Sequence, residues 1–436
     1  MTPGPAESVG AGLPEGIRSA FGTGLAEAVL SRRSRRFGLG MTLPDGPLAY
    51  VSEHPALPLS ELEEAFLVWV GTGVTGLALA ELPPDGIAWM HGFSGRAWPC
   101  SCNSHSTELF YTNDAGLHLV RLGEETPDRV SVFAGMGEAE ALGEMLARLR
   151  ASTTTLEAGR ADLPRGEPGL FDFNAWNVNQ PGTTLFIPVT NTTIEYLTLL
   201  FIYFDEKNRF AVVDEHAGGA RCGLDRWIAS GRLGAVEMSL VDIELRVLTT
   251  LNVEGAFICQ NMSLALQALG LGGWAFTGFL PHHVLGADPG HRGLGFRFVT
   301  PSATVRSAAR PAPVGRDGVL EALCPPYVPD MATAVRRYLD GWLAGAEGGS
   351  AYARPESALA GRTPPTEETI EIVTAFCTYV LETHGRFPAF IDPMFVRLVL
   401  QAHHLDLDFY DRHYPGDAVS ARHRDHMRLW HPDGGA

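Results

Sequence analysis

A chain of 436 residues, 45% hydrophobic and 19% charged, can form one large or two moderate globular domains with a substantial core. Its 33 basic and 50 acidic side chains leave a net charge of −17. Such a surface repels polyanions, which excludes general nucleic-acid binding and docking on anionic membranes. The 6 cysteines are scattered and set out no disulfide framework, so a reducing cytoplasm is the expected setting.

Residues 1–15 are polar and rich in Pro and Gly, without the basic start and apolar run of a secretory signal, and are expected to be a disordered tail. A helix is expected over 16–30, running into Ser31-Arg-Arg-Ser-Arg-Arg-Phe37. Ser60 and Glu63 have the spacing of a capping box ahead of an apolar stripe through Ala65, Phe66, Val68 and Trp69, which predicts a second helix. The uncharged run 65–80 contains glycines at 71, 73 and 76 and is too short to span a bilayer. Pro83–Gly86 makes a turn, and strands and loops are expected from Trp98 to Gly135.

Glu138–Leu149 is amphipathic at helical spacing, and 152–170 reads as a long loop or linker. Thr183–Val189, Leu197–Phe204, Arg209–Val213 and Phe296–Val299 are short, β-branched or aromatic, and are expected as strands. Helices are expected at 240–251 and again through Ala256–Leu269, whose apolar residues cover most of the circumference. Gly270, Gly272 and Gly273 then end the helix beside Trp274 and Phe276. Beyond 301 the composition is that of a linker followed by helices, one capped by Thr366 and running to Gly385, another over Met394–His404.

Several patterns bear on chemistry. Arg32, Arg33, Arg35 and Arg36 around Ser34 are the densest positive charge in an acidic chain. Guanidinium forks beside a hydroxyl suit a phosphate, although cations also collect at a helix C-terminus to complement its dipole. Gly71-Thr-Gly73-Val-Thr-Gly76 matches G-x-G-x-x-G, but the upstream capping box predicts a helix and too little chain follows for another, so a dinucleotide fold is not expected. Cys100-Ser-Cys102 has no second pair at zinc spacing, and its thiols are expected to be structural. The histidines at 282–283, 403–404, 413, 423, 426 and 431 carry no H-E-x-x-H signature. They are expected on the surface or in local hydrogen bonds, with no metal. Neither a G-x-S-x-G elbow nor a P-loop is present.

Three stretches in chain order resemble the FMN-dependent nitroreductase family. Ser31–Phe37 looks like its R-R-S-x-R motif, Pro99–Tyr111 like its P-S-x-x-N-x-Q-P-W segment, and Gln260-Asn261 through Leu271-Gly272 like its Q-N-x-x-L-A-A-x-x-L-G-L-G helix. The resemblance implies an α+β fold, a central mainly antiparallel sheet flanked by helices, with a helical C-terminal extension. It also implies that Arg32, Arg33, Ser34 and Arg36 contact the FMN phosphate or ribityl chain. Ser101 and Asn103 would approach the isoalloxazine ring, and Phe276, Thr277 and Gly278 would place backbone along its pyrimidine side.

The chain departs from the family at Ser104–Glu108, where Q-P-W-x-F is usual, and at Thr277-Gly278, where many members have Glu-Gly. A second phosphate-binding cation is represented only by Arg297 and Arg306. On this reading residues 16–300 are the FMN-binding domain with long insertions, and 301–436 are the linker and extension. The implied protein is a homodimer in which NAD(P)H reduces FMN and a small-molecule or peptide substrate is acted on in turn. A subgroup that oxidises thiazoline and oxazoline rings in peptides resembles Ser106–Leu122, so a dehydrogenase passing electrons to dioxygen is the alternative. A non-catalytic FMN-binding scaffold is a third reading.

Overall fold

The structure, a computed structural model, describes residues 14–78, 94–123, 135–301, 310–345, 354 and 364–432. At its centre is a seven-stranded sheet, every pairing antiparallel, with helices on both faces. Its strands are β1 (Thr107–Thr112), β2 (Gly116–Val120), β3 (Thr153–Ala158), β4 (Thr184–Asn191), β5 (Gly272–Phe276), β6 (Met394–Phe395) and β7 (Val399–His403). They run in the order β5-β7-β4-β1-β2-β3, with β6 beside the far end of β4. Successive side chains alternate between faces. Phe110, Leu185 and Ile187 enter one core, whereas Leu109, Tyr111 and Phe186 enter the other.

The helices used below are α1 (Glu15–Phe21), α2 (Leu25–Ser31), α3 (Glu61–Thr72), α4 (Glu138–Ser152), α5 (Thr192–Tyr203), α6 (Leu240–Leu269), α7 (Met331–Gly345), α8 (Glu367–His384), α9 (Leu407–His413) and α10 (Ala421–Trp430). α5, α7 and α8 cover the first face; α1, α3 and α4 cover the second. α6 serves both. Its 30 residues form one helix, started by Ser239 accepting from Asp242 N and stopped by Gly270 at φ 82°. Leu240 to Leu251 lie in the first core and Ile258 to Leu269 in the second. Glu254 sits buried at the crossing.

The capping box of α3, helix α4, strand β4 and the Thr366 cap of α8 form where their sequence signals place them. Four expectations are corrected. Leu197–Phe204 is not a strand but part of α5, where 11 of 12 residues are buried; a helix buried all round shows no amphipathic period to distinguish it from a core strand. Met394–His404 is not a helix but β6 and β7, because the slot between β5 and β4 offers ladder partners on both edges. The segment 152–170 contains β3, a polar strand hidden by its threonines. The single helix at 16–30 is two, parted at Gly22–Gly24.

As a consequence residues 301–436 are not a helical extension beyond the sheet, since β7 lies inside it. The tail up to residue 13, the turn Pro83–Gly86, and 124–134 within the expected strand region fall outside the described residues. Among the described residues no helix is long and apolar enough to cross a membrane.

Candidate functional site

The arginine segment leaves α2 extended and joins the edge of β5. Arg35 N donates to Gly273 O at 3.3 Å, and Gly273 N donates to Arg35 O at 2.9 Å. Residue 273 must be glycine: it has φ 155°, and a Cβ there would lie 2.3 Å from Gln401 O. The Arg35 side chain turns inward, its Nε donating to Ala418 O at 2.8 Å and its Nη1 to Gln267 Oε1 at 2.9 Å. Burial lowers the pKa of Arg35 from its ordinary value.

With Arg35 committed to the interior, Arg32, Arg33, Ser34 and Arg36 are exposed. The Arg36 guanidinium lies 4.0 Å above the Trp274 ring, a cation–π contact, and Trp274 stacks on Phe276 at 4.0 Å and 16°. Thr277 follows, exposed, and Gly278 O accepts from Phe171 N at 3.2 Å. A Cβ on Gly278 would meet Asn174 Nδ2 at 2.5 Å. The Arg35–Gly273 bridge therefore brings the arginine segment and Phe276–Gly278, about 240 residues apart, to one edge of the sheet.

Ser101 and Asn103 lie in a short 3-10 turn, with Asn103 in the left-handed region at φ 51°. The residues after them face inward. Ser104 Oγ donates to Glu195 Oε2; Cys100 Sγ donates to Glu254 Oε1 at 2.8 Å; Thr107 Oγ1 donates to Glu254 Oε2. Glu108 accepts from Leu122 N and Gly123 N. Within 104–108 the side chains of Ser104, Thr107 and Glu108 are thus committed to internal hydrogen bonds, whereas both His105 ring nitrogens and Ser106 Oγ are buried without a partner.

The result is a buried acid pair. Burial pushes the Glu195 carboxyl up to about 8, and the neighbouring charge of Glu254 adds to it against the Ser104 hydrogen bond. Burial likewise raises Glu254. The Cys100 thiol is pushed far above its ordinary range by burial and by both carboxylates, so it is a structural thiol and not a nucleophile. Glu195 Oε1 has no hydrogen-bond partner. With its carboxyl raised to about 8, Glu195 holds its proton at neutral pH. Beside them a cleft of about 610 Å³ opens between α5 and α6, lined by Ser101, Leu199, Tyr203, Asp242 and Arg246 among others.

These two regions are not adjacent within one chain. Arg35 meets α6 at Gln267 and Cys100 meets it at Glu254, 13 positions or about 20 Å along the axis. The structure brings Arg36 to Phe276–Gly278 but leaves Ser101 and Asn103 apart from them. Arg297 is exposed on a separate three-stranded sheet, and Arg306 lies outside the described residues.

Sequence reasoning missed the acid pair, although a lone Glu in TTIEYLTLLFIY is a visible anomaly. It also placed the late histidines on the surface or in local bonds. His283 Nδ1 lies 3.5 Å from the nearby Asp288, but His282 Nε2 lies 3.2 Å from Asp392, 110 positions away, and neither nitrogen makes a hydrogen bond. His404 and His426, however, are buried and meet Glu63 from far along the chain.

No protein-family model matches the chain, and no curated protein does. Among solved structures it is similar to a candidate nitroreductase from Ralstonia eutropha, with 11% identity over 61% of this chain and 74% of that one and a TM-score of 0.23. A likeness at that score assigns neither fold family nor function.

Proposed function

We propose that the chain is an FMN-dependent oxidoreductase of nitroreductase type, working as a homodimer. The observation that carries this reading is the Arg35–Gly273 bridge, which joins two of the three family-like stretches into one surface that no sequence spacing dictated. The donor set fits the cofactor. Three exposed guanidiniums and a hydroxyl, at Arg32, Arg33, Arg36 and Ser34, would hold the phosphate; Thr277 and Gly278 would offer polar backbone to the ring edge, and Ser101 and Asn103 would approach it from the other region. The chemistry that bound FMN supplies is hydride transfer between NAD(P)H and an acceptor.

A second copy would reunite the two regions. The outward face of α6 exposes Leu245, Val253 and Phe257, and α2, packed against it, exposes Leu25, Val29 and Leu30. An apolar stripe of this kind supports pairing across α6. The second reading, a dehydrogenase of modified peptides that passes electrons to dioxygen, is favoured by Glu195. Its carboxyl, raised to about 8, lies one helical turn from Leu199 in the cleft wall and would hold a proton to donate near neutral pH.

The test is an absorbance spectrum of the purified protein. The proposal expects the blue-light band of oxidised flavin, bleached by NADH or NADPH. Protein that is colourless and takes up no added FMN overturns it. Flavin that only a peptide substrate reduces favours the second reading, and flavin that nothing reduces makes the chain a binding scaffold.

A further inference from the structure

Glu63 is the third residue of α3 and fully buried. Its Oε2 accepts from Ser60 N at 2.6 Å and Ser60 Oγ at 2.7 Å, which fixes the carboxylate and leaves Oε1 pointing the other way. Three imidazole Nε2 atoms converge on that Oε1: His404 at 3.2 Å, His426 at 2.9 Å and His431 at 3.1 Å. They come from just after β7, from the middle of α10 and from its C-terminal cap, so the cluster ties α10 and the end of β7 to α3. All four ligand atoms lie within 4.8 Å of one another.

For two of the three rings the neutral tautomer offers Glu63 no proton. His404 Nδ1 lies 2.9 Å from Leu57 O, and His426 Nδ1 lies 2.7 Å from Leu269 O. A carbonyl oxygen only accepts, so both Nδ1 atoms carry the hydrogen, and in the neutral rings both Nε2 atoms present lone pairs to Glu63. His404 and His431 Nε2 have hydrogen-bond geometry toward Oε1, whereas His426 Nε2, the shortest approach, does not. Lone pairs facing a carboxylate oxygen repel. Protonating both rings instead would bury two imidazolium cations against one carboxylate, since His431 can donate its Nε2 hydrogen as a neutral ring. Carbonyl-anchored Nδ1–H with Nε2 turned to a common point is the arrangement that metal-binding histidines adopt.

We propose that Glu63, His404, His426 and His431 bind a divalent transition-metal ion, zinc by preference, as a closed structural site. Three imidazoles and one carboxylate are a borderline donor set suited to zinc, and four protein ligands leave no open position for a reacting water. The size fits as well. Tetrahedral bonds of about 2.0–2.1 Å give ligand–ligand edges of roughly 3.3 Å, close to the three separations from Oε1. Access runs past His431, the one ligand with an exposed edge, at 16%.

Zinc alone is the probe, and flavin plays no part in the readout. After stripping with a chelator, the full chain is expected to take up and retain about one zinc ion through dialysis, and the double substitution His426→Ala with His431→Ala to weaken retention at least about tenfold. A wild-type chain that keeps no zinc, or a double variant that keeps it as tightly, overturns the proposal. If the double variant fails to fold, cobalt(II) titration of the stripped wild type decides. Saturable uptake with the intense visible bands of a tetrahedral centre supports the site, whereas weak octahedral bands or uptake that does not saturate refutes it.

Discussion

Glu195 carries a raised pKa because it is buried beside Glu254 with one oxygen unpartnered. The folded chain therefore holds a proton that the unfolded chain releases between its ordinary 4.5 and about 8. By linkage the native state binds more protons than the unfolded one in that window, so the stability this site allows is full below 4.5 and falls as pH rises toward 8. The change is of the order of a few kcal/mol. Thermal unfolding followed from mildly acidic to mildly basic pH should show the decline, and Glu195→Gln, which keeps the shape and cannot ionise, should make it shallower, the remainder coming from Glu108 and Glu244, both raised to about 7. A decline of the same slope in the variant would place the titrating group elsewhere.

At the scale of elements, α6 does most of the positioning. Near its start, Glu244 accepts from Ala389 N at 2.7 Å, Phe390 N at 2.6 Å and Ile391 N at 3.0 Å, and burial pushes its carboxyl up to about 7 against those hydrogen bonds. The turn that it holds leads straight into β6 and β7. Glu244→Ala leaves three buried donors without an acceptor and should cost about 3 kcal/mol or more. A urea midpoint that does not move would contradict that role.

How far the elements were legible follows from the same physics. The cap of α3, the glycine stop of α6 and the Thr366 cap of α8 are local devices, written in a few adjacent residues. β7 is not local, because its residues become a strand only through partners about 130 and 215 positions upstream. The candidate site divides in the same way. The four outward residues of Ser31–Phe37 were legible from charge density, whereas the meeting of Arg36 with Trp274 depends on one backbone bridge. The histidines were misjudged because Glu63, which gathers three of them, had already been accounted for as a cap.

At the scale of the molecule, a −17 chain carries three exposed arginines, Arg32, Arg33 and Arg36, within one short segment and exposed apolar side chains along α6 and α2. If that stripe is a subunit interface, the wild type should be a dimer by light scattering, and Val253→Glu with Phe257→Glu should give a folded monomer that no longer retains flavin. A wild type that is monomeric at every concentration would remove the two-chain site. The central claim, that Arg36 and its neighbours form a phosphate site continuous with Phe276–Gly278, is tested most directly by FMN titration of wild type and Arg36→Ala. Loss of one charged phosphate contact should weaken binding by about 1.5–3 kcal/mol, or roughly ten- to a hundredfold, with riboflavin affinity nearly unchanged. Equal FMN affinity in the two proteins would contradict the account.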